Sequence, residues 1–180
     1  MIEVELRGFL TEDEFKLKLK ELQTISTSFE EDHRDTVFFM LSKATLKVTH
    51  MKSKKQAKIA YKAGDINSTT GQDEIEISIP VEEYENTIIL FQNLGFTNKQ
   101  ITSQIRYNLK IDNFEVSMKW SRDWGHHFEV EKMVAEPSLV NQAFVDVKEF
   151  CMQNGLKVMD TNEFEKFRQR VDAEHRQTLY

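Results

Sequence analysis

The first ten residues restrict the fold of this chain more than any other segment, because charged and aliphatic side chains alternate in them. Glu3, Glu5 and Arg7 occupy odd positions, and aliphatic residues occupy positions 2, 4 and 6. Successive side chains of a β-strand point to opposite faces, so the pattern predicts a strand with one charged face and one aliphatic face. The same alternation recurs along the chain and predicts about seven or eight strands.

The other segments with strand character are separated by turn-forming residues. The tightest predicted turn is Asp112-Asn113, which joins two alternating segments into a hairpin. A longer stretch rich in turn formers, 63–73, is predicted to be a loop. The segments of strand character are 36–40, 46–50, 57–62, 74–80, 105–109, 114–120 and 126–134.

Four segments carry the spacing and end signals of helices. The first starts at Thr11-x-x-Glu14, a capping box in which the two residues satisfy each other's backbone N–H groups. Apolar residues recur at helical spacing there and in a second segment that Gly95 can end. Pro137 fits the first turn of a third helix, and a fourth follows Thr161.

Composition narrows the class of protein. We expect a single α+β domain over residues 1–180, because no repeat, low-complexity segment or long biased linker divides the chain. A net charge of -6, from 24 basic and 30 acidic residues, argues against nucleic acid as the main partner. Cys151 is the single cysteine, so neither an internal disulfide nor a cysteine-based zinc site can form. Without an apolar run of roughly 20 residues or a signal peptide pattern, we expect a cytoplasmic protein with no membrane partner.

The charged faces of the predicted strands are ordered by sign. Carboxylates come as Glu-x-Glu pairs on the first and last strands, whereas cations lie on the strands between them. Either an open antiparallel sheet leaves these charges in water and packs its aliphatic face on helices, or the sheet curls into a barrel and encloses them. The residues concerned are Glu3, Glu5, Glu129 and Glu131, and Lys47, Lys58, Lys62 and Arg106.

If the charges face inward, the glutamate pairs predict a site for a hard cation. Side chains two residues apart on a strand lie about 6.5–7 Å apart on one face, so two neighbouring pairs would bring four carboxylates together. Such carboxylates raise one another's pKa unless a cation such as Mg²⁺ or Mn²⁺ compensates them. Lysine and arginine beside the metal then favour a ligand with several phosphate groups.

Short motifs occur in the order that is typical of one known family. The opening "EVELR" resembles a Glu-x-Glu-x-Lys strand, and "GHHFEVE" resembles a closing G-x-x-x-E-x-E motif. Between them lie "DTVFF", "LKVT", "AYKAG", "EIEI" and "QIR". Over almost its whole length the chain resembles the CYTH superfamily, the triphosphate tunnel metalloenzymes, which includes class IV adenylyl cyclases, thiamine triphosphatases and inorganic triphosphatases.

The resemblance implies an eight-stranded antiparallel β-barrel that forms a tunnel, with flanking helices. Its glutamates would bind one or two Mg²⁺ or Mn²⁺ ions, and its basic residues would bind a triphosphate. Glu74 or Glu76 would support them, and Glu3, Glu5, Arg7 and Lys62 would act most directly in the reaction. The implied metal ligands are Glu3, Glu5, Glu129 and Glu131, and the implied phosphate ligands are Arg7, Lys47, Lys62 and Arg106, with Lys58 and Glu76 as further substrate-binding residues.

Four positions depart from the family pattern. Arg7 stands where lysine is usual, and Thr49 and Gln104 stand where basic residues are usual. Lys119 falls where the family generally has an aspartate on the penultimate strand. Lys119 would add a cation beside the metal site, where an internal ion pair with Glu129 or Glu131 is one outcome.

Three functional hypotheses follow. The first is a metal-dependent hydrolase of ATP, thiamine triphosphate or tripolyphosphate. The second is a class IV adenylyl cyclase that makes cyclic AMP from ATP, and the third is a non-catalytic module that binds polyphosphate or nucleotide. An aliphatic barrel exterior that the helices cover only in part would favour a homodimer.

Overall fold

The computed structural model describes residues 1–41, 44–63 and 74–177. At 168 and 172–177 it describes the backbone alone. The chain forms eight strands and four longer helices in this described part, and single 3₁₀ turns precede two of the helices. The predicted loop 63–73 lies almost wholly outside the described residues. The strands are β1 (Ile2–Phe9), β2 (Ser28–Met40), β3 (Ala44–Met51), β4 (Gln56–Ala63), β5 (Glu74–Ile79), β6 (Lys99–Ile111), β7 (Phe114–Ser121) and β8 (Gly125–Val134), and the helices are α1 (Glu12–Ile25), α2 (Tyr84–Asn93), α3 (Val140–Gln153) and α4 (Thr161–Gln177).

All eight strands belong to one antiparallel sheet in the order β1-β8-β7-β6-β2-β3-β4-β5. The sheet curls strongly, because Lys62 on β4 contacts Glu3 on β1 although these strands lie near opposite edges. Between the described residues of the edge strands β1 and β5 there is no hydrogen-bonded ladder, so the sheet is a half-barrel. The predicted α+β fold, with eight antiparallel strands curled around a charged interior, is confirmed.

The outer, aliphatic face of the sheet packs against the helices. Phe15 of α1 and Val147 of α3 are buried against the outer face of β6, β7 and β8. Tyr84 and Ile88 of α2 are buried against β2, β3 and β4. The aliphatic strand positions therefore supply the core, and the charged positions are left to line the inside.

The helix ends follow the predicted signals. Thr11 caps α1 in a reciprocal capping box, in which the Thr11 amide donates to Glu14 Oε2 at 2.7 Å. Gly95 and Gly155 follow α2 and α3 in the left-handed conformation that glycine adopts without strain. Among the described residues, no helix is both long and apolar enough to cross a lipid bilayer.

Two strands are longer than the sequence pattern indicated. β2 begins at Ser28 and β6 at Lys99, whereas alternation predicted strands from 36 and 105. Each early segment is mostly polar and has a single large apolar residue, Phe29 or Ile101, so both lack the apolar and polar alternation by which a strand is recognised. Strands β2 and β6 pair along twelve residues, from Ser28 opposite Lys110 to Phe39 opposite Lys99.

Candidate functional site

The concave face of the sheet encloses a cavity of about 1390 Å³. Its walls carry charged side chains from β1, β3, β4, β5, β6 and β8, the strands on which the sequence placed its candidate residues. The structure brings all of these candidates to one cavity: Glu3, Glu5, Arg7, Lys47, Lys58, Lys62, Glu76, Arg106, Glu129 and Glu131.

Three glutamates form a compact carboxylate group at the junction of β1 and β8. Glu5 and Glu131 lie directly opposite each other in the antiparallel pair, and Glu3 is two residues from Glu5 on the same face. One carboxylate oxygen from each of Glu3, Glu5 and Glu131 lies within 4.8 Å of the other two. We call these three residues the carboxylate group, and it is the single cluster of this kind found in the described part of the chain.

The fourth glutamate of the predicted set, Glu129, is not a member of the carboxylate group. It lies opposite Arg7 in the β1–β8 register, and its carboxylate forms an ion pair with the ammonium of Lys119 on β7. Lys119 is only 4% exposed. Four carboxylates were expected to converge, but only three do so, and the fourth, Glu129, is paired with Lys119.

Two members of the carboxylate group, Glu3 and Glu5, differ in proton affinity. Burial, together with the charges of Glu131 and Glu5, raises the pKa of Glu3 to about 7, although Lys62 opposes this shift. Burial acts in the same direction on Glu5, but Arg7, Lys119 and Lys62 outweigh it and lower the pKa of Glu5 to about 2. Glu5 is thus ionised at neutral pH, whereas Glu3 is partly protonated there without a further cation.

Lysines from β3 and β4 face the carboxylate group across the cavity. Lys62 Nζ lies 2.8 Å from Glu3 Oε1 and 3.3 Å from Glu74 Oε2, and Lys47 Nζ lies 3.7 Å from Glu74 Oε1. Burial lowers the pKa of Lys47, and the neighbouring Lys62 adds to this effect. A polyanion between these lysines would relieve that repulsion.

Of the two glutamates on β5, Glu74 is the one between the lysines. Lys47 and Lys62, despite the opposing effect of burial, lower its pKa. Glu76 pairs instead with Lys58, nearer the solvent. Glu74 is therefore the β5 glutamate that contacts both of these lysines.

Two arginines also line the cavity. We call Arg7, Arg106, Lys47, Lys58 and Lys62 the cationic wall. Arg106 Nη2 donates to Ser117 Oγ at 2.5 Å, Arg106 Nε donates to Asn108 Oδ1 at 2.5 Å, and the guanidinium lies 3.9 Å from Glu131 Oε1. Arg7 pairs with Glu5. Each carboxylate of the group is thus in contact with one cation in this structure.

Arg34 of β2 is a cavity residue that the sequence reasoning missed. Its Nε lies 2.5 Å from Asp32 Oδ2, and Asp32 is 0% exposed, with Oδ1 lacking a hydrogen-bond partner among the described residues. Burial and the charge of Arg106 lower the pKa of Arg34. The polar segment 28–35 was not recognised as a strand, so its inward residues were not considered.

Gln104 and His127 occupy the cavity floor near Lys119. Burial and the charge of Lys119 lower the pKa of His127 to about 3, so its ring is neutral. Its Nδ1 lies 3.1 Å from the Gly125 carbonyl and its Nε2 lies 3.5 Å from Gln104 Nε2, so Nδ1 donates and Nε2 accepts. The neighbouring His126 faces outward and packs on Phe15 at 4.8 Å between ring centroids.

An aromatic cluster lies beside Arg7 where α4 meets the cavity. Phe167 of α4 packs on Phe9 at 4.2 Å between ring centroids and on Trp124 at 5.2 Å. The guanidinium of Arg7 lies 4.6 Å from the centroid of the Phe164 ring. Helix α4 thus packs on both Trp124 and Arg7, and Trp124 also lines the cavity.

The donors of the carboxylate group fit a hard divalent cation. The group offers oxygen ligands alone, as Mg²⁺ and Mn²⁺ prefer, and no thiolate or imidazole belongs to it. Oxygens across a magnesium ion are separated by about 4.2 Å, from a metal–oxygen distance of about 2.1 Å. Separations of up to 4.8 Å therefore need only small side-chain movements to close on one ion.

Solved structures with the same fold come from archaea, bacteria and plants. The PH1012 protein from Pyrococcus horikoshii is 21% identical, with a TM-score of 0.70 over 88% of this chain and 94% of that one. A protein of Vibrio parahaemolyticus proposed to be an adenylate cyclase is 15% identical, with a TM-score of 0.70 over 89% and 94%.

The Hippeastrum protein HpAC1, described as having a dominant triphosphatase activity, is 13% identical, with a TM-score of 0.62 over 93% of this chain and 95% of that one. At these identities the likeness concerns the fold. No curated protein sequence matches the chain.

A family model gives the more specific result. The model of the CYTH domain matches residues 1–167, which include every strand and the first three helices. The match spans all the cavity residues on the sheet, including Glu3 at one end and Glu131 at the other. This chain belongs to the CYTH domain family.

Proposed function

We propose that this protein binds a triphosphate-containing small molecule together with Mg²⁺ or Mn²⁺ in the half-barrel cavity and hydrolyses it. The observation that carries the proposal is the contact between the carboxylate group and the cationic wall inside one cavity. Glu3, Glu5 and Glu131 supply ligands for a metal, and Lys62, Arg7 and Arg106 lie directly beside them. Such an arrangement accommodates a metal and a polyphosphate in contact with each other.

The cationic residues would hold the phosphate groups in order along the cavity. Arg7, Lys62 and Arg106 are placed for the phosphate nearest the metal. Lys47 and Lys58 extend the row along β3 and β4, away from β1. Arginine suits two-point contact with phosphate oxygens, and lysine suits a single charged contact.

The metal, when bound, would draw charge from the phosphoryl oxygens and thereby ease attack on phosphorus. Glu3, Glu5 and Glu131 would hold it, with Glu3 and Glu5 fixed side by side on β1. Arg7 and Lys62 would hold the phosphate being transferred and neutralise the charge that develops on it. These four residues of β1 and β4 are the candidate catalytic set: Glu3, Glu5, Arg7 and Lys62.

The ion pairs inside the cavity would be exchanged on binding. Glu3 would leave Lys62 for the metal, and Lys62 would turn to phosphate; Arg7 and Glu5 would separate in the same way. Each charge then keeps an opposite partner, so the exchange avoids the cost of a buried unpaired charge.

Product analysis tests this function against its two alternatives. The protein is incubated with Mg²⁺ or Mn²⁺ and ATP, tripolyphosphate or thiamine triphosphate, and the products are separated by ion exchange. Orthophosphate release supports hydrolysis, and cyclic AMP with pyrophosphate identifies a cyclase. Binding without turnover of any of the three identifies a non-catalytic module, which the departures at Thr49, Gln104 and Lys119 would explain.

A paired substitution tests the site itself. Glu3→Gln with Glu131→Gln removes two of the three ligand charges and is expected to abolish metal-dependent turnover. Glu82→Gln with Glu85→Gln is the matched control, because it makes the same change at two exposed glutamates near α2, outside the cavity. Equal activity of the two double variants would refute the assignment.

A further inference from the structure

Lys119 is more deeply buried than the three lysines of the predicted site. Its side chain is 5% exposed, whereas those of Lys47, Lys58 and Lys62 are 16–23% exposed. Those three lysines lie on β3 and β4, opposite the carboxylate group. Lys119 lies on β7, beneath the carboxylate group and on the side where β8 carries its glutamates.

The register of β7 and β8 explains how Lys119 reaches its partner. Lys119 lies opposite His127, and Ser117 lies opposite Glu129, so Lys119 reaches Glu129 along a diagonal on the inner face. Glu5 and Glu131 also lie close enough to interact with the Lys119 ammonium electrostatically. The ammonium therefore pairs with Glu129 and lies near the carboxylate group on the inner face.

Lys119 has the position and charge of a cation bound between glutamates. Of the four glutamates that line the cavity from β1 and β8, Glu129 is the one left to bind a second divalent ion, because the other three converge on one point. Glu129 is paired with Lys119, which is buried, so a metal ion at Glu129 would have to displace the Lys119 amino group from its partner.

We propose that Lys119 takes the place of a second metal ion, so that the protein itself binds one divalent cation at Glu3, Glu5 and Glu131. This inference rests on the metal site of the proposed function. Lys119 is a positioning residue: it holds Glu129 and selects a single-metal site.

The number of bound Mn²⁺ ions tests the role of Lys119. Mn²⁺ is titrated into the phosphate-free protein, and bound ions are counted by electron paramagnetic resonance and by calorimetry. We expect one ion for the wild type. We expect two for Lys119→Asp, with a spectrum broadened by coupling between neighbouring ions. Lys20→Asp on the exposed surface of α1 adds the same charge outside the cavity and is expected to bind one.

The possible results separate this inference from the function on which it rests. Two ions in the wild type, or a single ion in a folded Lys119→Asp protein, would overturn the role of Lys119 and leave the metal site standing. No Mn²⁺ binding to the wild type would overturn the metal site and this inference together. If circular dichroism shows that Lys119→Asp does not fold, Lys119→Gln takes its place. That variant keeps the length of the side chain without its charge and is expected to admit a second, weaker ion.

Discussion

Lys62 Nζ lies 2.8 Å from Glu3 Oε1, although Lys62 is on β4 and Glu3 is on β1 at the far edge of the sheet. The contact joins the two walls of the cavity. It also pairs a residue proposed to bind metal with one proposed to bind phosphate. Arg7 with Glu5 and Arg106 with Glu131 repeat this arrangement. In this structure, the residues proposed to bind metal are therefore paired with those proposed to bind phosphate.

Replacing Lys62 with methionine is expected to change metal affinity and phosphate affinity in opposite directions. Without the ammonium, Glu3 has no competing partner and the cavity loses a positive charge, so Mn²⁺ alone should bind several-fold more tightly, although the pKa of Glu3 rises once Lys62 no longer lowers it. Tripolyphosphate alone should bind about 10- to 100-fold more weakly, since a hydrogen bond to a charged group contributes about 1.5–3 kcal/mol. Each ligand is titrated separately by calorimetry at pH 8.5. The tripolyphosphate titration contains EDTA, so that tripolyphosphate binds without metal.

Lys20→Met on α1 serves as the control for the loss of one positive charge. It should leave both affinities unchanged. A Lys62→Met protein that binds Mn²⁺ no more tightly than the wild type would show that the Lys62–Glu3 pair does not compete with the metal.

Alternation along the strands was sufficient to predict which charged residues share a face, because a period of two fixes the face of every side chain on a strand, but it left open whether that face is enclosed or in water. It was insufficient for segment 28–35, whose charged residues look like a loop until β6 supplies the pairing partner. Arg34 was missed for this reason. The sequence left the partner of Lys119 open between Glu129 and Glu131. That choice depends on the stagger of β7 against β8, which alternation within one strand does not specify.

Arg34→Met is expected to destabilise the protein by about 3–5 kcal/mol, because it leaves the buried carboxylate of Asp32 without its cation. Urea unfolding followed by circular dichroism measures the change. Adding Asp32→Asn should recover a large part of the loss, since the remaining group is then neutral. If the double variant is no more stable than Arg34→Met, the loss is due to packing of the arginine and the ion pair is not its cause.

Gly8 is required where the segment after α3 crosses β1. A Cβ at this position would lie 2.1 Å from the Lys157 carbonyl oxygen and 2.7 Å from the Phe128 ring, so Gly8→Ala must displace backbone. We expect a loss of at least about 1–3 kcal/mol in the free energy of unfolding. The same segment donates a hydrogen bond from the Met159 amide to the Arg7 carbonyl at 2.9 Å, so Arg7 should shift and phosphate binding should weaken.

Gly95→Ala provides a comparison for Gly8→Ala. A Cβ there meets no atom within 4 Å, and the cost, about 1 kcal/mol, comes from the positive φ of 97° alone. Phosphate binding should be unaffected. Equal losses of stability and of tripolyphosphate affinity in the two variants would argue against a role for the crossing segment in placing Arg7.

Cys151 should make the protein less stable in alkaline solution. Burial in the core under α3 raises the pKa of its thiol to about 12, from 9.0 in an unfolded chain. Above pH 9 the unfolded chain releases this proton while the folded chain retains it, so the free energy of unfolding falls as the pH rises. The slope attributable to one such group approaches about 1.4 kcal/mol per pH unit.

The slope is best measured by urea unfolding between pH 9 and pH 10, where Tyr84, whose pKa burial also raises, contributes in the same direction but less than Cys151. Cys151→Ala will lower stability at every pH by removing a buried side chain, but it should flatten the dependence on pH. Equal slopes for the wild type and Cys151→Ala would show that the thiol ionises alike in the folded and unfolded chains. Burial would then not be raising its pKa.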